Sequence, residues 1–217
     1  MADPQLTVVE QQLGAVYDAM HAARARTTIV GGLYGQAMGD LYPAEVAASS
    51  STDWALLGTM VANLRMQPGQ RLVDVGCGTG GVGLWLARAL AACVTGVDVS
   101  STALGLAAAR ARHFGLPAEC ADFRLGSLGS TGLPARYADG LVCVDALGHE
   151  KDRRKALEEI RRVLTGRPGG PHVRPVPGSA GAAAVERTGA ANRPDPGRRG
   201  GAAPRTRDVA ARLPVVG

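Results

Sequence analysis

The stretch Leu72-Val73-Asp74-Val75-Gly76-Cys77-Gly78-Thr79-Gly80-Gly81 constrains this chain more than any other. Leu72 to Val75 reads as a short buried strand, because aliphatic and β-branched residues fill it and a turn follows at once. Beyond Gly81, the residues Val82, Leu84, Trp85, Leu86, Ala89 and Leu90 recur at helical spacing, so strand passes into helix through a loop almost bare of side chains. Such a loop lets a ligand reach the backbone, since glycine lacks a Cβ and accepts positive φ. The helix after it turns unpaired N–H groups and its positive dipole end to the same place. The expected guest presents an anionic or polar end.

Asp74 narrows the choice of guest. A carboxylate just before the glycines would repel a pyrophosphate but suits a cationic amino group, which S-adenosylmethionine carries beside a carboxylate and a sulfonium. Asp74 followed by Gly76, Gly78 and Gly80 resembles the first motif of the class I S-adenosylmethionine-dependent methyltransferases. Gly76, Gly78 and Gly81 also satisfy the dinucleotide fingerprint, so an NAD(P)-dependent oxidoreductase is the competing reading. Asp74 and the lack of a Tyr-x-x-x-Lys pair stand against it. A glycine-rich turn without a ligand is the bland alternative.

A chain of 217 residues is long enough for one α/β domain with a sizeable core. The start is mixed and polar, and no apolar run approaches the roughly 18 residues of a membrane span, so a cytoplasmic protein is expected. Cys77, Cys93, Cys120 and Cys143 are well separated and lie in or beside apolar segments, which reads as reduced core cysteines, with no zinc site and no disulfide. The formal charge of +5 is uneven. Up to Thr165 there are 15 basic and 16 acidic residues; after it there are nine arginines and three acids. The basic excess therefore belongs to the tail, and no basic patch with interleaved aromatics suggests nucleic acid as a partner.

Leu6 to Arg26 is predicted as an amphipathic helix with Leu6, Val9, Leu13, Val16, Tyr17 and Met20 on its apolar face, broken by Gly31-Gly32. A short segment from Leu33 to Met38 ends near Pro43. Asp53 is the expected N-cap of a helix from Trp54 to Met66, with Trp54, Leu57, Val61 and Leu64 on one face. A second strand, Val94 to Ser100, places Asp98 about 20 residues past the first glycine, the interval at which a carboxylate meets a ribose. Capping the next helix is its alternative role. Ser100 or Ser101 caps a helix from Thr102 to Phe114, which Gly115 stops. Cys120 to Leu125 is a third strand, and Asp139 to Leu147 holds a fourth. Asp152 to Leu164 is an amphipathic helix, burying Ala156, Leu157, Ile160, Val163 and Leu164 beneath a solvated charged face. Glu158 and Arg162 stand at a favourable spacing on that face.

The methyltransferase resemblance, carried by residues 30 to 165, implies the site. Its first motif implies cofactor contacts at Asp74, Gly76, Cys77, Gly78 and Gly80, and its second strand at Asp98 and Val99. The segment after the third strand resembles the family's adenine loop, with Ser127 where an acid usually stands and Leu128 beside it. A hydroxyl accepts a hydrogen bond more weakly than a carboxylate. Asp145 and Ala146 resemble the fourth motif, bordering the methionine end or the substrate. His149 follows as a candidate base for a substrate hydroxyl or amine, a solvated loop histidine being the alternative. The resemblance further makes the N-terminal helices a lid, with Tyr17, Tyr34 and Tyr42 as candidate pocket residues.

Beyond Gly166 the chain contains no Phe, Tyr, Trp, Ile or Met, and its only leucine is Leu213. A disordered tail is expected there, with no buried strand. A frameshift in a GC-rich gene would explain the abrupt change, and a natural Pro/Arg/Gly-rich linker is the rival explanation. The expected organisation is a helical lid over residues 1–66, an S-adenosylmethionine-binding core over 67–165 and a tail over 166–217. The expected fold class is α/β, a Rossmann-like doubly wound, mostly parallel sheet with an N-terminal helical lid and missing C-terminal strands. The implied activity moves a methyl group from S-adenosylmethionine to an O, N or C nucleophile of a small molecule, without a metal. An inactive, truncated relative is the remaining alternative.

Overall fold

The computed structural model describes residues 6–48 and 50–164, together with the backbone of 172–175 and 183–186. Strand β1 (Arg71–Val75) is central because neighbours pair on both sides of it. β2 (Cys93–Asp98) and β4 (Gly140–Cys143) flank it in parallel, and β3 (Ala121–Leu125) lies parallel to β2. Two further strands, β5 (His172–Pro175) and β6 (Ala183–Glu186), form an antiparallel pair at the β4 edge, giving the order β3-β2-β1-β4-β6-β5. Their presence corrects the expectation of no strand past Gly166; the expected disorder of the rest of the tail lies outside the described residues.

Strand alternation sorts the side chains of β1 onto two faces. Leu72 packs with α3 (Trp54–Leu64) and α4 (Gly81–Leu90), through Leu57, Met60, Leu64, Val82 and Leu86. Val73 and Val75 pack on the opposite face with Ile160 and Val163 of α6 (Arg153–Val163). Asp74 therefore falls on the α4 side, beneath the helix that the glycine loop begins. α5 (Ser101–Ala111) follows β2 and continues that face, where Leu84, Ala87, Val94, Ala111 and Phe114 cluster. Helix α3, counted with the lid in the sequence reading, belongs by packing to this layer. Its buried face is Leu56, Leu57, Met60 and Leu64, while Trp54 is 40% exposed against Trp85.

Local chemistry accounts for most boundaries. The Asp53 carboxylate accepts the Leu56 N–H, Ser100 Oγ accepts the Ala103 N–H and the Asp152 carboxylate accepts the Lys155 N–H, so α3, α5 and α6 each start at a side-chain cap. α1 (Val8–Arg24) opens with a complete capping box between Thr7 and Glu10. Gly31-Gly32 does not break a helix. The break falls at 25–28, and both glycines lie inside α2 (Ile29–Met38), where a side chain at either would meet only open space. With no packing demand there, the helix tolerates its two glycines at a cost of about 1 kcal/mol each.

Four further expectations change. Cys93 and Cys120 form a disulfide, because the parallel register pairing Val94 with Ala121 sets the residues just before them side by side; Cys77 and Cys143 are free. Leu157 is 38% exposed. On α6 the exposed pair is Arg154 with Glu158 rather than Glu158 with Arg162. Glu159 is not merely solvated, since its Oε1 accepts the Thr131 N–H at 2.9 Å and the Thr131 hydroxyl at 2.6 Å while Arg162 binds it too. That carboxylate fastens the loop after β3 to α6. No helix among the described residues is long and apolar enough to cross a membrane.

Candidate functional site

A cavity of about 210 Å³ opens at the carboxyl ends of the parallel strands. The glycine loop forms its floor. Gly76, Gly78 and Gly80 all adopt positive φ, at 72°, 51° and 75°. The Gly76 and Cys77 N–H groups both donate to the Val97 carbonyl, at 2.8 and 3.2 Å, which locks the loop onto β2. A Cβ at Gly76 would overlap that of Ala146, and one at Gly81 would overlap the Val46 carbonyl. Gly80 is a correction: it does not line the cavity, because its Cα faces Ala107 and Phe123 behind the loop. Its glycine serves packing and the turn.

Asp74 lines the cavity but is only 2% exposed. Its Oδ2 accepts the Gly83 N–H at 3.0 Å, so the carboxyl caps the first turn of α4 from below. Gly83 is obligatory, because a Cβ there would sit 2.7 Å from that same oxygen. Burial pushes the Asp74 carboxyl up to about 7; the Gly83 bond opposes this and the charge of Asp98 adds to it. The group thus lies under the loop, covered by the first turn of α4. Desolvation likewise lifts the Cys77 thiol well above its ordinary value.

Asp98 ends β2 with both oxygens engaged. Oδ2 accepts the Gly78 N–H at 2.8 Å and Oδ1 the Ser100 N–H at 2.9 Å. It therefore positions the glycine loop and shapes the turn into α5 at once, while facing the cavity beside Val99. Over it lies α1. Asp18 accepts from Ser100 Oγ at 2.7 Å and from the Thr102 N–H at 2.8 Å, and a Cβ at Gly14 would stand 2.5 Å from the Val99 carbonyl. This close approach seats the helix on the β2–α5 turn.

The fourth strand's end supplies Asp145, Ala146 and His149, all lining the cavity. Asp145 holds φ at 55°, unusual for a residue with a side chain, and its Oδ2 accepts from the Ser51 N–H and hydroxyl at 2.7 and 2.8 Å. His149 meets the Tyr17 ring edge-on at 6.1 Å, and Tyr17 stacks on His21 at 6.2 Å. Of the three candidate tyrosines only Tyr17 lines the cavity; Tyr34 and Tyr42 stack on each other elsewhere. After β3, Ser127 and Leu128 complete the wall, and the Ser127 hydroxyl is buried with no hydrogen-bond partner among the described residues.

The structure thus gathers the site residues expected from the sequence except Gly80, Tyr34 and Tyr42, and adds Glu10 and His21 from α1. His21 is 6% exposed, and burial holds its imidazole below the ordinary value despite the charge of Asp98, so it is neutral at pH 7. The signal for these two was present: Glu10, Leu13, Tyr17, His21 and Arg24 recur every three or four residues, and all line the cavity. Following only apolar residues selects Val9 and Val16 instead, which are 54% and 66% exposed.

Arg110 of α5 clamps the loop from outside the cavity. Its guanidinium donates to the Thr79 carbonyl at 2.9 Å, the Thr79 hydroxyl at 3.0 Å and the Val46 carbonyl at 2.7 Å. Arg110→Met would leave these acceptors without their donor at a cost of about 2 kcal/mol. A melting-temperature decrease of about 5 °C is expected, with weaker nucleoside binding by calorimetry. An unchanged melting temperature would mean that water replaces the clamp.

Comparisons with known proteins agree with this geometry. Residues 72–170 match the family described as a methyltransferase domain. Methyltransferase GfsG of Streptomyces halstedii is 35% identical over 107 residues, 49% of this chain and 37% of that protein. O-methyltransferase resE of Aspergillus sclerotiorum is 34% identical over 110 residues, 50% of this chain and 40% of that protein. The chain spans less than half the length of these curated relatives. Among solved structures, the [4+2]-cyclase SpnF is 28% identical with a TM-score of 0.53, covering 76% of this chain and 58% of that one. Residues 72–170 thus match a methyltransferase domain, and the parallel α/β sheet on which they lie is Rossmann-like.

Proposed function

We propose that this chain transfers the methyl group of S-adenosylmethionine to an O, N or C nucleophile of a small molecule, of the kind handled in bacterial secondary metabolism. One observation supports this above others: a buried carboxyl, Asp74, stands under the glycine loop, with a second, Asp98, at the next strand end. The residues present fit the cofactor. Asp74 suits its cationic amine, Asp98 its ribose hydroxyls, and the partnerless Ser127 hydroxyl its base, while Gly76, Cys77 and Gly78 leave the floor low. Val99 and Leu128 flank the nucleoside, and Asp145 and Ala146 border the reacting end. When bound, the cofactor supplies an electrophilic sulfonium methyl that needs little covalent help.

The chain's own contribution is alignment, exclusion of water and proton removal. α1 closes the cavity from above. His149, on the cavity wall beside the Tyr17 ring, is the candidate to take a proton from a substrate hydroxyl or amine. Neutral His21 and the stacked Tyr17 keep the nucleoside end dry.

An oxidoreductase reading would place the pyrophosphate of NAD(P) over Asp74, whose charge repels it. Calorimetric titration distinguishes the two: S-adenosylhomocysteine binds and NAD does not. Binding of NAD alone would overturn the proposal. Incubating cell extract with methyl-labelled cofactor and following label into small molecules by mass spectrometry then identifies the acceptor. Because a solved likeness bears a cyclase title, the same experiment should watch for products isomerised without label.

A further inference from the structure

The end of the cavity beyond Asp98 has features that select a particular nucleobase. In a doubly wound sheet a carboxylate at the end of the second strand meets the ribose, so the base lies farther along the strand ends, over β3. There the wall is aliphatic, from Leu13 of α1, Val99 and Leu128, and suits the faces of a flat ring. Two polar groups stand at its edge. One is the buried Ser127 hydroxyl, on a residue 3% exposed, which lies close to Glu10. The other is the carboxylate of Glu10, which comes from the lid helix.

Glu10 is the third helical residue of the α1 capping box. The Thr7 N–H and hydroxyl both donate to its Oε2, each at 2.7 Å. Burial pushes this carboxyl up, but the approach of the Ser127 hydroxyl and the bonds from Thr7 outweigh that and hold it below the ordinary value. It is therefore an anion at neutral pH, able only to accept. A hydroxyl alone can donate or accept, and so cannot distinguish an amino group from a carbonyl on the base. A carboxylate can.

We propose that Glu10, acting with Ser127, is the acceptor that selects the 6-amino group of adenine, so that base recognition is carried by the lid helix and completed only when α1 is seated. This rests on the S-adenosylmethionine reading of the cavity. Asp18 and Gly14 seat α1, which ties closure of the lid to the chemistry of the base.

The test is calorimetric titration of the full chain with S-adenosylhomocysteine and with S-inosylhomocysteine, whose base carries a carbonyl in place of the amino group. The expected wild-type preference for the adenine compound is about fiftyfold, since a site built for a donor rejects its replacement. Glu10→Gln should weaken the adenine compound about tenfold and strengthen the inosine compound, because an amide can donate to a carbonyl. Thr7→Val, which loosens the cap but keeps the carboxylate, should leave the preference intact. Should Glu10→Gln fail to fold, Glu10→Asp keeps cap and charge while withdrawing the oxygens, and should reduce the preference. Equal weakening of both ligands in Glu10→Gln would assign Glu10 to the helix cap alone and overturn the proposal. A wild type that binds the adenine compound without preference overturns it while sparing the cofactor reading. Binding of neither ligand overturns both.

Discussion

Asp74→Asn is expected to raise the melting temperature of the ligand-free protein at about pH 8 by several degrees while weakening S-adenosylhomocysteine binding at least about tenfold. The two effects share a cause. The Asp74 carboxyl is buried against Gly83 and holds its proton up to about 7, against 3.8 for an ordinary aspartate. The folded protein therefore binds this proton more tightly than the unfolded chain does. Stability from it is complete below about pH 4, is lost as the pH rises towards 7, and stays lost above, to a ceiling of about 4 kcal/mol. Asparagine still accepts the Gly83 N–H through its carbonyl but never ionises, so its advantage should vanish as the pH falls towards 4. For the wild type, binding a cationic amine requires the ionised form, so affinity should climb about tenfold per pH unit up to about 7 and then level. Methylthioadenosine, which lacks the amine, should bind both proteins alike. Equal affinity of Asp74→Asn and wild type for S-adenosylhomocysteine would sink the electrostatic account.

Gly76→Ala should reduce cofactor affinity about a hundredfold. Gly76 combines a φ of 72°, which costs a residue with a Cβ about 1–2 kcal/mol, with a Cα that faces Ala146. Relieving the overlap pushes Ala146 outward, and Asp145 with it, although Asp145 is fastened to Ser51 by two hydrogen bonds. Floor and wall of the cavity move together. The companion substitution Ala146→Gly removes the opposing methyl and should restore about tenfold of the loss, leaving only the backbone penalty. No recovery in the double variant, measured by calorimetry, would show that the packing contact is not what requires glycine there.

Much of the site was legible because it follows one pattern three times: an apolar run, then an acid, then a turn. Asp74, Asp98 and Asp145 could be placed at strand ends from spacing alone, since parallel strands of an open sheet deliver their last residues to one edge. The strand-to-helix passage at Gly76–Gly81 and the caps Asp53, Ser100 and Asp152 were equally local, each depending on a few neighbouring residues. Gly80 was misassigned for the same reason. A motif treats its glycines as equivalent, whereas only the fold turns Gly76 towards Ala146 and Gly80 towards Phe123.

The sequence by itself determined the strand and helix periods and the acid-then-glycine turn, because these arise from interactions within about 30 residues of chain. Tertiary structure alone decided what meets across the cavity. The register of β2 and β3 joined Cys93 to Cys120, the seating of α1 brought Glu10 and His21 to the cavity, and Arg110 found Thr79 and Val46. It also decided that Asp74 lies buried under α4 and holds its proton to about 7, since a carboxyl's proton affinity depends on the solvent it loses and not on its neighbours in sequence.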